Sequence, residues 1–349
     1  MHLSKFLVTV ISLLLIPKLS ADTIKVKTRA PQNQQAVFQF RVPRGYNSRK
    51  TCRVLVIFGG RNTDGKADAS GRMGWGEWCD KHNIFLVAPG LKNDDYWEPR
   101  AWSGRALLRA LAELKKKYNI CTDRLLFYGY SAGSQASNLF PAWRPGHCRA
   151  WVSHACGVFH TPSQRMRNVP GLVTCGDADQ ARYIISRNFV ENARRQGCSI
   201  IWKTFSNLPH QVPMESLNLA RAFLLFYHEQ NLRDLGYFRP AQDTSRGGFI
   251  GDDQEQKFYP VKSSRAKNIF AEDRVILPTL AIAQAWGKPE VLRMDMPLTD
   301  NSAAEYLLFH SKIFSDSFSD STEQLKVIEP SFSAGSRFQY SSCRSFSKQ

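Results

Sequence analysis

The sequence predicts an α/β protein whose mostly parallel central sheet carries helices on both faces. Three observations point there. Short apolar runs alternate with helix-periodic segments from residue 36 to residue 230. The runs are apolar at nearly every position instead of every second one, as strands buried on both faces are. At 349 residues the chain can bury one large core, or one core with an appendage.

In chain order, AVFQFRV (36–42) and RVLVIFG (53–59) read as strands, 72–82 as a helix and NIFLVAPG (83–90) as a strand. GRALLRALAELKKKY (104–118) places its apolar residues at helical spacing, RLLFYGY (124–130) is a strand, and 132–140 a helix of small residues. CRAWVSHA (148–155) and PGLVTCG (170–176) are strands. A helix over 180–196, the strand SIIWKTF (199–205) and a closing helix over 212–230 complete the pattern. After Gln230 it changes. GGFIGDDQEQKFYPV (247–261) reads as a hairpin turning at Gly-Asp-Asp, and Pro278 divides 271–288 into two short elements. Residues 231–299 form a C-terminal accessory region, and the Ser/Phe-rich tail 300–349 is expected to be weakly ordered.

The first 21 residues have the form of a signal peptide: a weakly basic start, an apolar run from Phe6 to Ile16, and Leu19-Ser20-Ala21 as cleavage site. The run is short for a membrane span, and no later segment is long and apolar enough for one. A secreted or periplasmic protein is expected, with a catalytic-sized domain over 22–230. Residues 231–349 hold 15 Lys+Arg against 15 Asp+Glu, so the formal excess of +17 falls almost entirely in residues 22–230. A basic surface of this kind attracts acidic polymers. Zinc-finger spacing, ribonucleoprotein-type aromatic motifs and basic amphipathic runs are missing, so nucleic acid is not an expected partner. Eight cysteines, none with metal-ligand spacing, suggest at least one disulfide in an exported chain, with pairing and oligomeric state open.

The chemistry centres on Gly129-Tyr130-Ser131-Ala132-Gly133. An apolar strand ends there and a small-residue helix begins. Glycines on either side let the chain turn sharply, lifting the serine hydroxyl clear of the sheet. The helix N-terminus then favours a developing anion. A serine hydroxyl is a poor nucleophile until a base takes its proton and a third group orients the base. Two later strands supply both kinds of group. One is followed by Gly176-Asp177-Ala178-Asp179, the other by Ser206-Asn207-Leu208-Pro209-His210. All lie at the carboxyl ends of strands, where ligands bind in parallel sheets. His82, His147, His154, His160 and His228 sit in or beside helices and strands and read as structural or surface groups.

On these residues the chain resembles the α/β-hydrolase superfamily, and within it secreted esterases similar to feruloyl esterases and polyhydroxybutyrate depolymerases, over about residues 36–230. The resemblance implies Ser131 as nucleophile, His210 as base and Asp179 as orienting acid, with Asp177 as fallback. It implies an oxyanion hole formed by the Ala132 amide and by Gly60 or Arg61 in the loop Phe58–Gly65. Many relatives begin that loop with His-Gly, where this chain has Phe58-Gly59. Tyr130, and Tyr96, Trp97 and Trp102 of DDYWEPRAW (94–102), are candidates to line the substrate site, while Trp75, Trp78 and Trp143 read as packing.

The expectation is a serine hydrolase cleaving carboxylic esters through an acyl-enzyme, on an acylated polysaccharide, a phenolic ester or a polyester. It requires no cofactor and no metal. A peptidase on the same fold is a neighbouring reading. The alternative from another class is a non-catalytic α/β-hydrolase-like binding protein of the cell envelope.

Overall fold

The computed structural model describes residues 21–27, 35–90, 96–230 and 248–289. The leader, the Ser/Phe-rich tail and much of the linker into the accessory region therefore lie outside the described residues. The first half runs β1 (Asp22–Lys27), β2 (Gln35–Arg41), β3 (Cys52–Phe58), α1 (Lys66–Ser70), α2 (Trp75–His82), β4 (Ile84–Gly90), α3 (Gly104–Lys115) and β5 (Ile120–Tyr130). Then follow α4 (Ala132–Trp143), β6 (Cys148–His154), β7 (Gly171–Gly176), α5 (Gln180–Arg195), β8 (Ile200–Phe205) and α6 (Met214–Glu229). The eight strands form one sheet in the order β1-β2-β4-β3-β5-β6-β7-β8. β1 and β2 pair antiparallel, as do β2 and β4, and every other pair is parallel.

The continuous apolar strands serve two cores at once. Val54, Val56 and Phe58 of β3 face one side, and Leu55 and Ile57 the other. In β5, Leu125 and Phe127 oppose Leu126 and Tyr128 in the same way. Helices α3, α4 and α5 cover the first face, and α2 and α6 cover the second. Burial on both faces is what the missing period-two pattern anticipated.

A second sheet follows in β9 (Phe249–Asp252), β10 (Lys257–Pro260), β11 (Arg274–Leu277) and β12 (Lys288–Pro289), with α7 (Ser264–Asn268) and α8 (Leu280–Trp286). Its order is β11-β9-β10-β12. Phe258, Val275, Leu277, Ile282 and Trp286 extend the second core of the main sheet, and the Trp286 indole donates to the Trp202 carbonyl of β8 at 2.6 Å. Pro278 does divide its segment into strand and helix. The hairpin turn is displaced from the expected Gly-Asp-Asp: Gly251 and Asp252 belong to β9, and the turn spans residues 253–256. There Gln256 takes a φ of 55°, and the Asp252 carboxylate accepts the Gln254 and Glu255 amides.

The disulfide expectation is overturned among the described residues. Cys52, Cys79, Cys121, Cys148, Cys156, Cys175 and Cys198 are all free thiols. All but Cys121 are buried, and they behave as small apolar residues of strands and helices.

Candidate active site

Ser131 leaves β5 with φ 54° and ψ −127°. A residue with a Cβ adopts such a conformation only at a cost of about 1–3 kcal/mol, and the surroundings must hold it there. Its amide donates to the His154 carbonyl at 2.9 Å, and the Ser134 amide and hydroxyl both donate back to the Ser131 carbonyl. Both flanking glycines are sterically required. A Cβ on Gly129 would strike the Gly133 carbonyl, and one on Gly133 would strike the carbonyl oxygens of Phe58 and Gly59. Gly133→Ala therefore drives backbone into backbone, and an expected loss of at least about 3 kcal/mol follows. A urea midpoint unchanged by Gly133→Ala would contradict this packing.

The β7 and β8 ends bring the other two groups to the serine. His210 Nε2 lies 2.8 Å from Ser131 Oγ, and His210 Nδ1 lies 2.6 Å from Asp179 Oδ2. With the carboxylate on Nδ1, that nitrogen carries the proton and Nε2 is left to accept from the serine hydroxyl. The Asp179 side chain is 6% exposed and that of His210 27%, so the carboxylate is withdrawn and the imidazole meets solvent. Asp177 is turned elsewhere: its Oδ1 accepts the Asn207 amide at 2.7 Å, holding the loop that leads to His210.

Asp179 has a second partner that the sequence reading did not single out. Arg182, one turn into α5, donates to Asp179 Oδ1 at 2.9 Å. The pairing occupies the oxygen that His210 does not use. An arginine three residues past an acid at a helix start is the signal that could have revealed it.

The expected oxyanion donors lie at the start of α4 and in the loop after β3. Ala132 is the first residue of α4, where main-chain amides have no partner within the helix. Gly60 backs onto Tyr130: a Cβ on Gly60 would lie 3.0 Å from the Tyr130 ring. The loop carrying Gly60 and Arg61 is braced by Asp68, which is 2% exposed, pairs with Arg72 at 2.7 Å and accepts from Thr63 at 3.2 Å. Burial raises the Asp68 pKa even against the pull of Arg72. The Arg72 guanidinium also lies 5.4 Å from the centre of the Tyr130 ring. Burial raises the Tyr130 pKa, against the opposing influence of Arg72 and the Gly60 amide.

Of the four aromatic candidates, Tyr130 and Trp97 are partly exposed. Tyr96 and Trp102 are core side chains, each 5% exposed. Both therefore pack into the first core, Trp102 from the turn that enters α3. The Tyr96 ring packs edge-on to Trp97, and burial raises its pKa, against the opposing influence of Arg61.

Three histidines outside this relay are held neutral. Burial pushes His154, His160 and His228 each down to about 4. Their unfolded value is near 6.5, so below that pH the unfolded chain binds more protons than the folded one, and stability falls as pH falls toward 4. For fully buried His154 alone the effect is on the order of 3 kcal/mol. Urea midpoints should decline steadily from about pH 7 to about pH 4.5; a flat profile there would contradict neutral burial of these rings.

The fold is that of the α/β-hydrolases. A ferulic acid esterase of known structure superimposes with a TM-score of 0.50, at 15% identity over 59% of this chain and 96% of that one. The poly(3-hydroxybutyrate) depolymerase LpqC of Bordetella parapertussis is also similar, with a TM-score of 0.49 at 16% identity over 62% of this chain and 93% of that one. A thermostable esterase gives 0.47 at 17% identity over 62% of this chain, and the match spans only 62% of that esterase's own length. No family model and no curated protein matches the sequence. Among the described residues, no helix is long and apolar enough to cross a membrane.

Proposed function

We propose that the protein is a serine hydrolase that cleaves carboxylic esters through an acyl-enzyme. The observation that carries this reading is the continuous hydrogen-bonded path from Ser131 Oγ through His210 to Asp179, at a strained turn on the carboxyl edge of the sheet. His210 Nε2 takes the Ser131 proton as Oγ attacks the ester carbonyl carbon. The carbonyl oxygen becomes an oxyanion held by the Ala132 amide and an amide of Gly60 or Arg61. As the tetrahedral species collapses, the alkoxide leaves with the proton carried by His210. Water, deprotonated by the same nitrogen, then attacks the acyl-serine, and its collapse frees the acid and Ser131. Asp179 keeps the imidazole in the needed tautomer and steadies its charged form, with Arg182 holding the other carboxylate oxygen.

The substrate belongs to the acylated polysaccharides, phenolic esters or polyesters, and the basic charge of residues 22–230 favours one attached to an acidic polymer. Secretion after removal of residues 1–21 is part of the proposal, as is an accessory role for residues 231–299. The test joins two readouts on the mature protein: turnover of a short-chain p-nitrophenyl ester, and labelling by a fluorophosphonate located by peptide mass. Turnover with label on Ser131 is the expected result. Absence of both overturns the reading.

A further inference from the structure

Beneath the reacting pair lies a second, fully buried histidine. His154 is the last residue of β6 and is 1% exposed. Its Nε2 lies 2.8 Å from the carbonyl of Gln211, the residue after His210. Its Nδ1 lies 2.7 Å from Thr174 Oγ1 on β7 and 2.9 Å from Ser216 Oγ in the first turn of α6. Those two hydroxyls are 3.1 Å apart.

Donor and acceptor rules fix the roles. A carbonyl only accepts, so Nε2 carries the proton and donates it to Gln211. Nδ1 then has one lone pair, which a hydroxyl must fill, while the other hydroxyl donates within the Thr174–Ser216 pair. The network closes with its imidazole neutral, and burial, which holds its pKa near 4, keeps it so over the ordinary pH range. His154 also meets the serine directly, because its own carbonyl accepts the Ser131 amide. One residue thus holds the strained serine with its backbone and the next residue after the base with its ring.

We infer that His154 is a positioning residue: its Nε2–H to Gln211 bond fixes the His210 loop, so that the imidazole of His210 stays within reach of Ser131. This rests on the proposed hydrolase reading. Gln211 is an exposed loop residue, and Pro209 and Pro213 bracket the segment, so the ladder hydrogen bonds of a strand do not anchor it. The His154 ring provides an anchor to three buried elements at once, β6, β7 and α6. A shift of the base by about 1 Å is enough to cost roughly 10²-fold in rate.

The experiment compares His154→Leu and His154→Gln with the parent protein. The readouts are ester turnover per active site titrated with fluorophosphonate, and amide hydrogen exchange over residues 206–212. The expected result for His154→Leu is a kcat lower by about 10- to 100-fold with KM within about threefold, and faster exchange confined to that loop. His154→Gln, whose side-chain amide can still donate to Gln211, should recover most of both. A purely structural role would instead lower the number of titratable sites and leave kcat per site intact. That outcome, or unchanged exchange in the loop, overturns the inference while the hydrolase reading stands. If the parent protein neither turns over nor labels, the hydrolase reading falls and the exchange comparison alone decides whether His154 holds the loop. Should His154→Leu fail to fold, the near-isosteric Thr174→Val removes a donor to Nδ1 and is expected to lower kcat several-fold by the same route.

Discussion

Ser131→Ala is expected to bring ester hydrolysis down by about 10⁴-fold or more, to a level set by binding and the oxyanion donors alone. The substitution removes one atom, Oγ, which lies 2.8 Å from His210 Nε2. It leaves the backbone at φ 54° and ψ −127°, so the strain of the turn persists and the folded protein should be no less stable than its parent. Ser131→Gly separates the two properties of the position. It too is expected to be inactive, but glycine accepts a positive φ without a Cβ clash, so the unfolding free energy should rise by roughly 1 kcal/mol after its extra chain entropy is counted. Turnover in purified Ser131→Ala equal to the parent would mean that the reaction, if any, belongs to another group. Equal stability of Ser131→Gly and its parent would mean that the strain relieved is no larger than the entropy cost of glycine, about 0.5–1 kcal/mol. Together the two variants measure how much stability the site gives up to present its hydroxyl.

Asp179→Asn should lower kcat by about 10³- to 10⁴-fold, whereas Asp177→Asn should change it by no more than a few-fold. An asparagine at 179 can offer its amide N–H to His210, which turns the imidazole to the tautomer with its proton on Nε2, the wrong side for receiving one from serine. It also removes the negative charge facing the imidazolium and leaves Arg182 without its carboxylate. Asp177 contributes one bond to the Asn207 amide, and its neutral replacement keeps an oxygen in place for it. Parallel kinetics on the two variants decide between the acids. A larger loss at 177 would move the orienting role to Asp177 and require the loop from 176 to 180 to rearrange on binding substrate, and equal losses would mean that the Asp177–Asn207 bond is as necessary as the Asp179 carboxylate.

Much of this was legible in the sequence because it depends on local chemistry. The period of the apolar residues placed β3 to β8 and helices α2 to α5 within a few positions, since burial on both faces leaves a mark on every residue, but it missed the five-residue α1. The turn at Ser131 was legible because only glycine tolerates the close backbone approaches at 129 and 133. Harder to read was β1, whose DTIKVK is polar and exposed along an edge, so that burial leaves almost no trace in it. Spacing alone left Asp177 and Asp179 equivalent; which one meets His210 depends on how the β7 and β8 loops approach each other, 31 residues apart in sequence for the contacting pair. The role of His154 was hidden for the same reason, because its partners lie on β7, on α6 and in the His210 loop. The cysteines misled through their number: eight in a chain expected to be exported suggest bridges, yet six of the seven described are apolar filling in strands and helices.

The contact between the second sheet and β8 bears on how one molecule behaves beside another. Within the main sheet β8 has a neighbour only on its β7 side. Its outer flank would otherwise offer unpaired main-chain groups to the strand of a second copy, the usual beginning of edge-to-edge stacking. The Trp286 indole takes the Trp202 carbonyl from that flank, and the bulk of Trp286 and the charged tip of Lys203 stand beside it, 5.1 Å apart. The segment after residue 247 therefore covers part of that outer flank and takes one main-chain carbonyl that a second copy's strand would otherwise need.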